Sequence, residues 1–482
     1  MATIRHAVAL SFLTKFSATA IATIAVIVVA RLLTPEEIGV FSVGYAVIAV
    51  AHTLRDFGVT SYLIQEPNLT RDHIKTALGI TTAAAWSLAA ILFAASGTIA
   101  QFYDNVGVGE VIRILCLNFL LLPFSSPVFA LLRREMNFGA LMRIRVTSSF
   151  AHAGTSIALA YLGFSYYSLA WSSVVQIVVV VIMSSLAKPD AAMVLPGFKE
   201  WRRVLSFGGR VGISKILETL GNSANDLIIG RILGFTSVGL FSRAQGLINL
   251  FDIRFMEAVE AVMLPAFSAK NREGSDLKQA YIRSVEYLTV FAWPFFGVLI
   301  FTTFPVVRIM FGDQWDAAIP LIQILCFATL LKPFFGMANQ VLVALGEVGS
   351  NLRAAIIFQG VRVGAIVIAA TYSLTAVAAS MGLVYLIAFV TFSYFLRRHL
   401  GLNPLALILS CWRSLGVALL SVAVPATVHF TLGYAVESYL IHFAYAASGA
   451  TLGWLIGIFV FRHPVRIDLQ AAASKVFRRS KQ

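Results

Sequence analysis

Apolar runs of about 20 residues alternate with short polar connections from near residue 8 to near residue 461. A run of that length crosses the ~30 Å hydrocarbon layer as a helix. Fourteen spans are predicted, at 8–31, 38–57, 76–102, 108–132, 142–163, 165–187, 208–232, 237–266, 281–304, 317–345, 351–372, 374–396, 404–430 and 438–461. The first run continues to Val29 and Ala30 with no small-residue cleavage site, so no cleavable signal peptide is expected. The longest connection, 188–207, holds Lys188, Lys199, Arg202 and Arg203.

Composition supports this reading and narrows it. The chain has 482 residues, 59% hydrophobic and 12% charged, against about 25% charged in soluble proteins. Its mean hydropathy is +0.83. The net charge of +14 is not gathered on a soluble module, which argues against nucleic-acid binding. Basic residues concentrate in the even-numbered connections and at both ends, for example Arg133, Arg134, Lys270, Arg272, Arg397 and Arg398. The odd connections are richer in acids, including Glu36, Glu37, Asp313 and Asp316. The positive-inside rule then predicts both termini in the cytoplasm. Cys116, Cys326 and Cys411 fall in apolar stretches without paired spacing and read as small core residues.

The chain also repeats itself. "RLLTPEEIGVFS" from Arg31 and "RILGFTSVGLFS" from Arg231 coincide at an offset of 200, which also pairs Lys15 with Lys215. Further on, "ILCLNFLLLPF" (114–124) matches "ILCFATLLKPF" (324–334) at an offset of 210. Spans 1–6 thus recur as spans 7–12. Six spans is even, so the copies are parallel, related by an axis along the membrane normal. The expected architecture is an all-α polytopic membrane protein. Its N-lobe is 1–200 and its C-lobe 201–400, around a central cavity, followed by spans 13–14 (401–462) and a basic cytoplasmic tail (463–482). Pro123, Pro333, Pro294 and Pro305 are expected to kink their helices.

Polar residues inside spans are functional candidates by default. Span 8 holds Ser242, Arg243, Gln245, Asn249, Asp252, Arg254, Glu257 and Glu260. At 100° per residue, Ser242, Gln245, Asn249 and Asp252 share one stripe. Span 2 carries a milder version with Ser42, Tyr45, His52 and Asp56, plus Arg55 near its end. Span 7 adds Lys215, Glu218, Asn222, Asn225 and Asp226. A polar cavity with surplus cations suits a phosphate or diphosphate. Plainer roles stand beside that one. Lys15 lies roughly 10 Å inside its helix and can snorkel to the surface. Lys215 can pair with Glu218 at i+3. His52 can be a hydrogen-bonded packing residue. Asp226, Asp252, Glu257 and Glu260 either carry a coupling proton or sodium ion or pair with nearby arginines.

Some chemistry is missing. No GxxxxGK[ST] loop, HExxH or paired CxxC is present, and no long extracytoplasmic loop could house a catalytic site. The expectation is a transporter without cofactor or metal, not an enzyme.

Four stretches carry a resemblance. They are "ARLLTPEEIGVFSVGYAVIAVAHTLRDFGVTSYLIQ" (30–65), "NDLIIGRILGFTSVGLFSRA" (225–244), "LPAFS" (264–268) and "FGDQWDAAIPLIQILC" (311–326). On these the chain resembles Wzx-type polysaccharide flippases of the multidrug/oligosaccharidyl-lipid/polysaccharide exporter superfamily, in the colanic-acid and succinoglycan branch. The likeness covers most of spans 1–12 and fades beyond. It implies a two-lobed bundle that moves undecaprenyl-diphosphate-linked oligosaccharides across the bacterial inner membrane by alternating access. A polysaccharide polymerase and a chain-length regulator are candidate partners. The likeness places diphosphate-binding cations on spans 1, 2, 7 and 8, where Lys15, Arg55, Lys215, Arg243 and Arg254 stand. Asn, Gln, Ser and aromatic side chains would contact the sugar, with His52, Asn222, Asn225, Gln245 and Asn249 as cavity polar residues. The competing readings are a lipid II flippase, a cation-coupled drug exporter and, from another class, a glycan polymerase or ligase.

Overall fold

A computed structural model describes residues 2–56, 59–192, 194–199, 201–251, 256–434 and 438–470. Among these residues every regular element is helical. In chain order the α-helices are α1 (Ala2–Leu32), α2 (Pro35–Asp56), α3 (Val59–Gln65), α4 (Arg71–Phe102), α5 (Val106–Leu121), α6 (Ser126–Arg134) and α7 (Phe138–Tyr161). Then come α8 (Tyr167–Ala187), α9 (Pro189–Ala192), α10 (Trp201–Ile232), α11 (Phe235–Phe251), α12 (Glu257–Arg272), α13 (Leu277–Met310) and α14 (Ile319–Thr329). The chain ends with α15 (Ala338–Ala344), α16 (Val348–Ala370), α17 (Leu374–Leu400), α18 (Pro404–Ser410), α19 (Trp412–Thr427) and α20 (Tyr439–Val460). Ten helical segments among the described residues are long and apolar enough to cross a membrane.

The chain divides into two compact units, 1–240 and 241–482. That division falls inside α11, whereas the repeats meet near residue 200 in sequence.

In the first unit, α1 packs on α7, α7 on α8, α4 on α5, and α2 on both α5 and α10. Thr70 caps α4: its hydroxyl accepts from the His73 amide and His73 Nδ1 accepts from the Thr70 amide. The Arg134 guanidinium donates to the carbonyls of Leu63 (3.2 Å), Glu66 and Pro67 (3.1 Å), capping the end of α3 with a cation. The connection before α10 lies across α4, with the Gly197 amide donating to the Lys75 carbonyl at 2.9 Å.

In the second unit, α13 is the spine, packed against α14, α19 and α20. The α19–α20 pair is held close by "GATLGWLIG": a Cβ on Gly453 would stand 2.2 Å from the Leu420 carbonyl oxygen. Val465, beyond α20, packs with Val290, Val417 and Ile458. His463 is 1% exposed and bonds Ser414 Oγ at 3.2 Å, and Ser414 accepts from Thr289 at 2.8 Å.

The repeat shows in backbone detail. Predicted spans 4 and 10 are each interrupted by a 3₁₀ turn at the matching proline, Leu122–Phe124 and Lys332–Phe334. Proline has no N–H and cannot continue the helical ladder. An indole N–H reaches a nearby carbonyl in both halves, Trp86 to Leu120 at 3.3 Å and Trp293 to Leu330 at 2.9 Å. The next turn repeats as well: Asn137 N donates to Leu132 O at 2.9 Å, and Glu347 N to Leu342 O at 2.8 Å. Its left-handed position holds Met136 (φ 56°) in one half and Gly346 (φ 80°) in the other. Pro294 and Pro305 behave differently, since α13 runs on through both. All three cysteines are free and buried.

Candidate functional site

Two regions gather the polar side chains of the spans, one in each unit. In the first unit, α2 and α10 lie side by side, joined by Thr53 donating to Thr219 at 3.0 Å. His52 stacks on Phe119 with ring centroids 4.3 Å apart. Arg55 is buried at 7% exposure. Asn225 is also buried, and its Oδ1 makes no hydrogen bond among the described residues. Asn222 is exposed. Asp226 acts electrostatically on Tyr103, whose hydroxyl donates to the Leu227 carbonyl at 3.1 Å. Burial pushes the Tyr103 phenol up to about 12, so it remains a donor.

Where α2 meets the first turn of α11, two backbones touch reciprocally. A Cβ on Gly39 would stand 1.9 Å from the Phe235 carbonyl oxygen. A Cβ on Gly239 would stand 1.9 Å from the Pro35 carbonyl oxygen. Gly39 and Gly239 are equivalent in the repeat, and so are Pro35 and Phe235. Only glycine permits this approach.

In the second unit, α11 carries a cation and an apolar wall. Arg243 lies over the Trp315 ring, its Cζ 5.7 Å from the centroid. Its Nε is buried and makes no hydrogen bond, and it has no carboxylate partner among the described residues. Gln245 Nε2 donates to Asn249 Oδ1 at 3.2 Å, one helical turn apart on the same face. One turn further, Leu247 and Leu250 line an apolar groove of about 420 Å³. Pro294, Val298 and Met310 of α13 and Trp454 of α20 complete it. Pro294 to Met310 is about 24 Å of helix at 1.5 Å per residue, most of the hydrocarbon thickness.

Other sequence candidates lie beyond the description. Asp252 and Arg254 are outside the described residues. The side chains of Lys15, Lys215, Glu257 and Glu260 are also outside them, although Lys15 lies on α1, Lys215 on α10 and both glutamates on α12. Sequence reasoning missed Trp315, Thr53, Thr219 and Tyr103. Trp315 sits in an acid-rich connection with no periodicity to mark it. Its signals were a tryptophan between two aspartates and its place in the stretch 311–326 that carries the family resemblance.

Residues 28–320 match the family model described as polysaccharide biosynthesis protein. The chain belongs to this family. It is 23% identical to the teichuronic acid biosynthesis protein TuaB of Bacillus subtilis, over 62% of this chain and 62% of that protein. It is 22% identical to the lipopolysaccharide biosynthesis protein WzxC of Escherichia coli over 92% of this chain and 91% of WzxC. With the succinoglycan biosynthesis transport protein ExoT of Rhizobium meliloti it shares 25% identity over 68% of this chain and 66% of ExoT. In fold it resembles the lipid II flippase MurJ, with a TM-score of 0.77 at 12% identity, covering 95% of this chain and 99% of MurJ. It also resembles an inward-facing multidrug resistance MATE transporter of the MOP superfamily, with a TM-score of 0.67 at 17% identity, covering 81% and 95%. The chain is a multi-pass membrane protein of polysaccharide biosynthesis, and its relatives and fold neighbours with a named activity are transporters or flippases, not enzymes.

Proposed function

We propose that this protein flips undecaprenyl-diphosphate-linked oligosaccharides across the bacterial cytoplasmic membrane by alternating access, for exopolysaccharide or lipopolysaccharide assembly. Both termini face the cytoplasm in this reading, following the basic even connections. The observation that supports it best is on α11: a half-buried arginine whose Nε is buried and which has no carboxylate partner among the described residues, one turn from an apolar groove that runs most of the hydrocarbon thickness. A lipid diphosphate offers the matching pair of groups, an anion for the fork of donors and a chain for the groove.

The remaining roles follow from the sequence pairing. Lys15 and Lys215 meet the diphosphate from equivalent places, and Arg55 and Arg254 add to the field. Asn222, Asn225, Gln245 and Asn249 contact sugar hydroxyls. Asp226, Asp252, Glu257 and Glu260 are the groups that would carry a coupling ion. A polysaccharide polymerase and a chain-length regulator are the expected partners.

The test is flipping in proteoliposomes loaded with a fluorescent undecaprenyl-diphosphate oligosaccharide. Arg243→Ala should slow transport at least tenfold, about 1.4 kcal/mol, and Lys15→Ala/Lys215→Ala should do likewise. Unchanged rates in both variants, with normal membrane insertion, would defeat the diphosphate reading. Lipid II as an equal or better substrate would move the assignment to the peptidoglycan precursor. Transport of cationic drugs alone would move it to drug export, and sugar-chain extension by the purified protein would move it to a polymerase.

A further inference from the structure

We infer that Trp315 is a positioning residue: it holds Arg243 charged and oriented while leaving the guanidinium donors free for an anion. The inference rests on the diphosphate reading and deepens it.

Trp315 is fully buried, the largest such side chain in the described structure. It lies in the 3₁₀ turn Asp313–Ala318, at the junction of α13 and α14. That turn is fixed from three directions. Gly312 adopts φ 95°, where an L side chain is strained, and reverses the chain. Asp316 accepts from Arg308 Nε at 2.8 Å and from Nη2 on its other oxygen, a two-armed clamp. Phe311 packs its ring 6.2 Å from the indole. The indole face presented to Arg243 is therefore rigid.

The nature of the partner matters. A buried cation needs compensation. A carboxylate would supply it, but would occupy the same donors that bind phosphate. An aromatic face attracts the cation by its quadrupole and accepts no N–H in the guanidinium plane. Arg243 Nε makes no hydrogen bond among the described residues, in keeping with this arrangement.

The repeat isolates the pair further. At an offset of 200 the first half has Val43 in place of Arg243, fully buried, against which Gly230 of α10 closely packs. At an offset of 210 it has Asn105, at the start of α5, in place of Trp315. The cation and its ring are both present in one half and both absent from the other.

The experiment uses the full chain in detergent and inorganic diphosphate as the probe. In a protein with Trp315 as its single tryptophan, diphosphate should shift the indole emission, and Arg243→Gln should abolish the shift. Trp315→Leu should weaken diphosphate binding about tenfold by calorimetry. It should raise the half-saturating concentration for flipping more than it lowers the maximal rate, and Trp315→Phe should restore binding to within about threefold. No emission shift, or Trp315→Leu protein that binds as wild type while Arg243→Gln does not, overturns the role of Trp315 and leaves the flippase reading standing. Insensitivity of both binding and flipping to Arg243→Gln overturns the diphosphate reading with it. If Trp315→Leu does not fold, the emission shift and the Trp315→Phe affinity still decide.

Discussion

Compared position by position, the two halves agree where backbone meets backbone and differ at the arginine that stacks on a tryptophan. The proline breaks at Pro123 and Pro333, the indole donors Trp86 and Trp293, and the glycines Gly39 and Gly239 each have the same task in both copies. Val43 and Asn105 face Arg243 and Trp315 across the same comparison. A backbone device depends on the fold that both copies share, so both retain it. The stacking of an arginine on a tryptophan is not part of that shared backbone, so one copy can carry it alone.

The largest effect should come from the symmetric glycines. Gly39→Ala and Gly239→Ala each place a Cβ 1.9 Å from a carbonyl oxygen. Each should lower stability by about 3 kcal/mol, the upper end for overpacking, read as thermal unfolding in detergent. The two losses should agree within about 1 kcal/mol. A tolerated alanine at one position and a severe one at the other would show that the contact is not reciprocal.

Next is a feature of the second half alone. Burial, with Arg413 nearby, drives the His463 imidazole down to about 4, so the folded chain keeps it neutral. Its unfolded counterpart titrates near 6.5. The stabilisation is whole above that value and is lost as pH falls from about 6.5 towards about 4. At pH 5 the loss should be about 2 kcal/mol. Hydrogen exchange should show it around Ser414, Thr289 and Val465, and His463→Gln should flatten the pH dependence. An equal acid response in the first unit would remove His463 as its cause.

The smallest effect tests a position where the copies disagree. Met136 takes a left-handed turn that Gly346 takes freely. Met136→Gly should stabilise by about 1 kcal/mol and Gly346→Ala should destabilise by a similar amount. A loss on Met136→Gly would mean that the Met136 side chain contributes more than its backbone strain costs.

These comparisons also show what a sequence discloses. Helices and repeat were legible because apolar runs and the 200 and 210 offsets are properties of the chain itself. All four prolines were legible as kink positions. What was not legible is that Pro123 and Pro333 interrupt the α-helix with a 3₁₀ turn while α13 runs on through Pro294 and Pro305. Gly39 and Gly239 stood in the repeat motif, yet their task depends on a backbone about 200 residues away. Arg243 was found as a charge in an apolar run. Its partner Trp315 was not, because a ring in a short turn has no period to betray it. The groove escaped notice because leucine lining a groove reads the same as leucine facing lipid.

The contact between α2 and α11 has one more consequence. Patch meets equivalent patch, each glycine resting on the residue four positions before the other glycine. This is an isologous interface of the kind that two-fold homodimers make, here enclosed within a single polypeptide. A six-span chain bearing this motif would already carry both sides of the contact, so pairing of two separate copies could precede their fusion without any new complementarity being invented. Fusion then freed each side to vary alone, which is the condition under which one copy could acquire an arginine and a tryptophan that the other never had to accommodate.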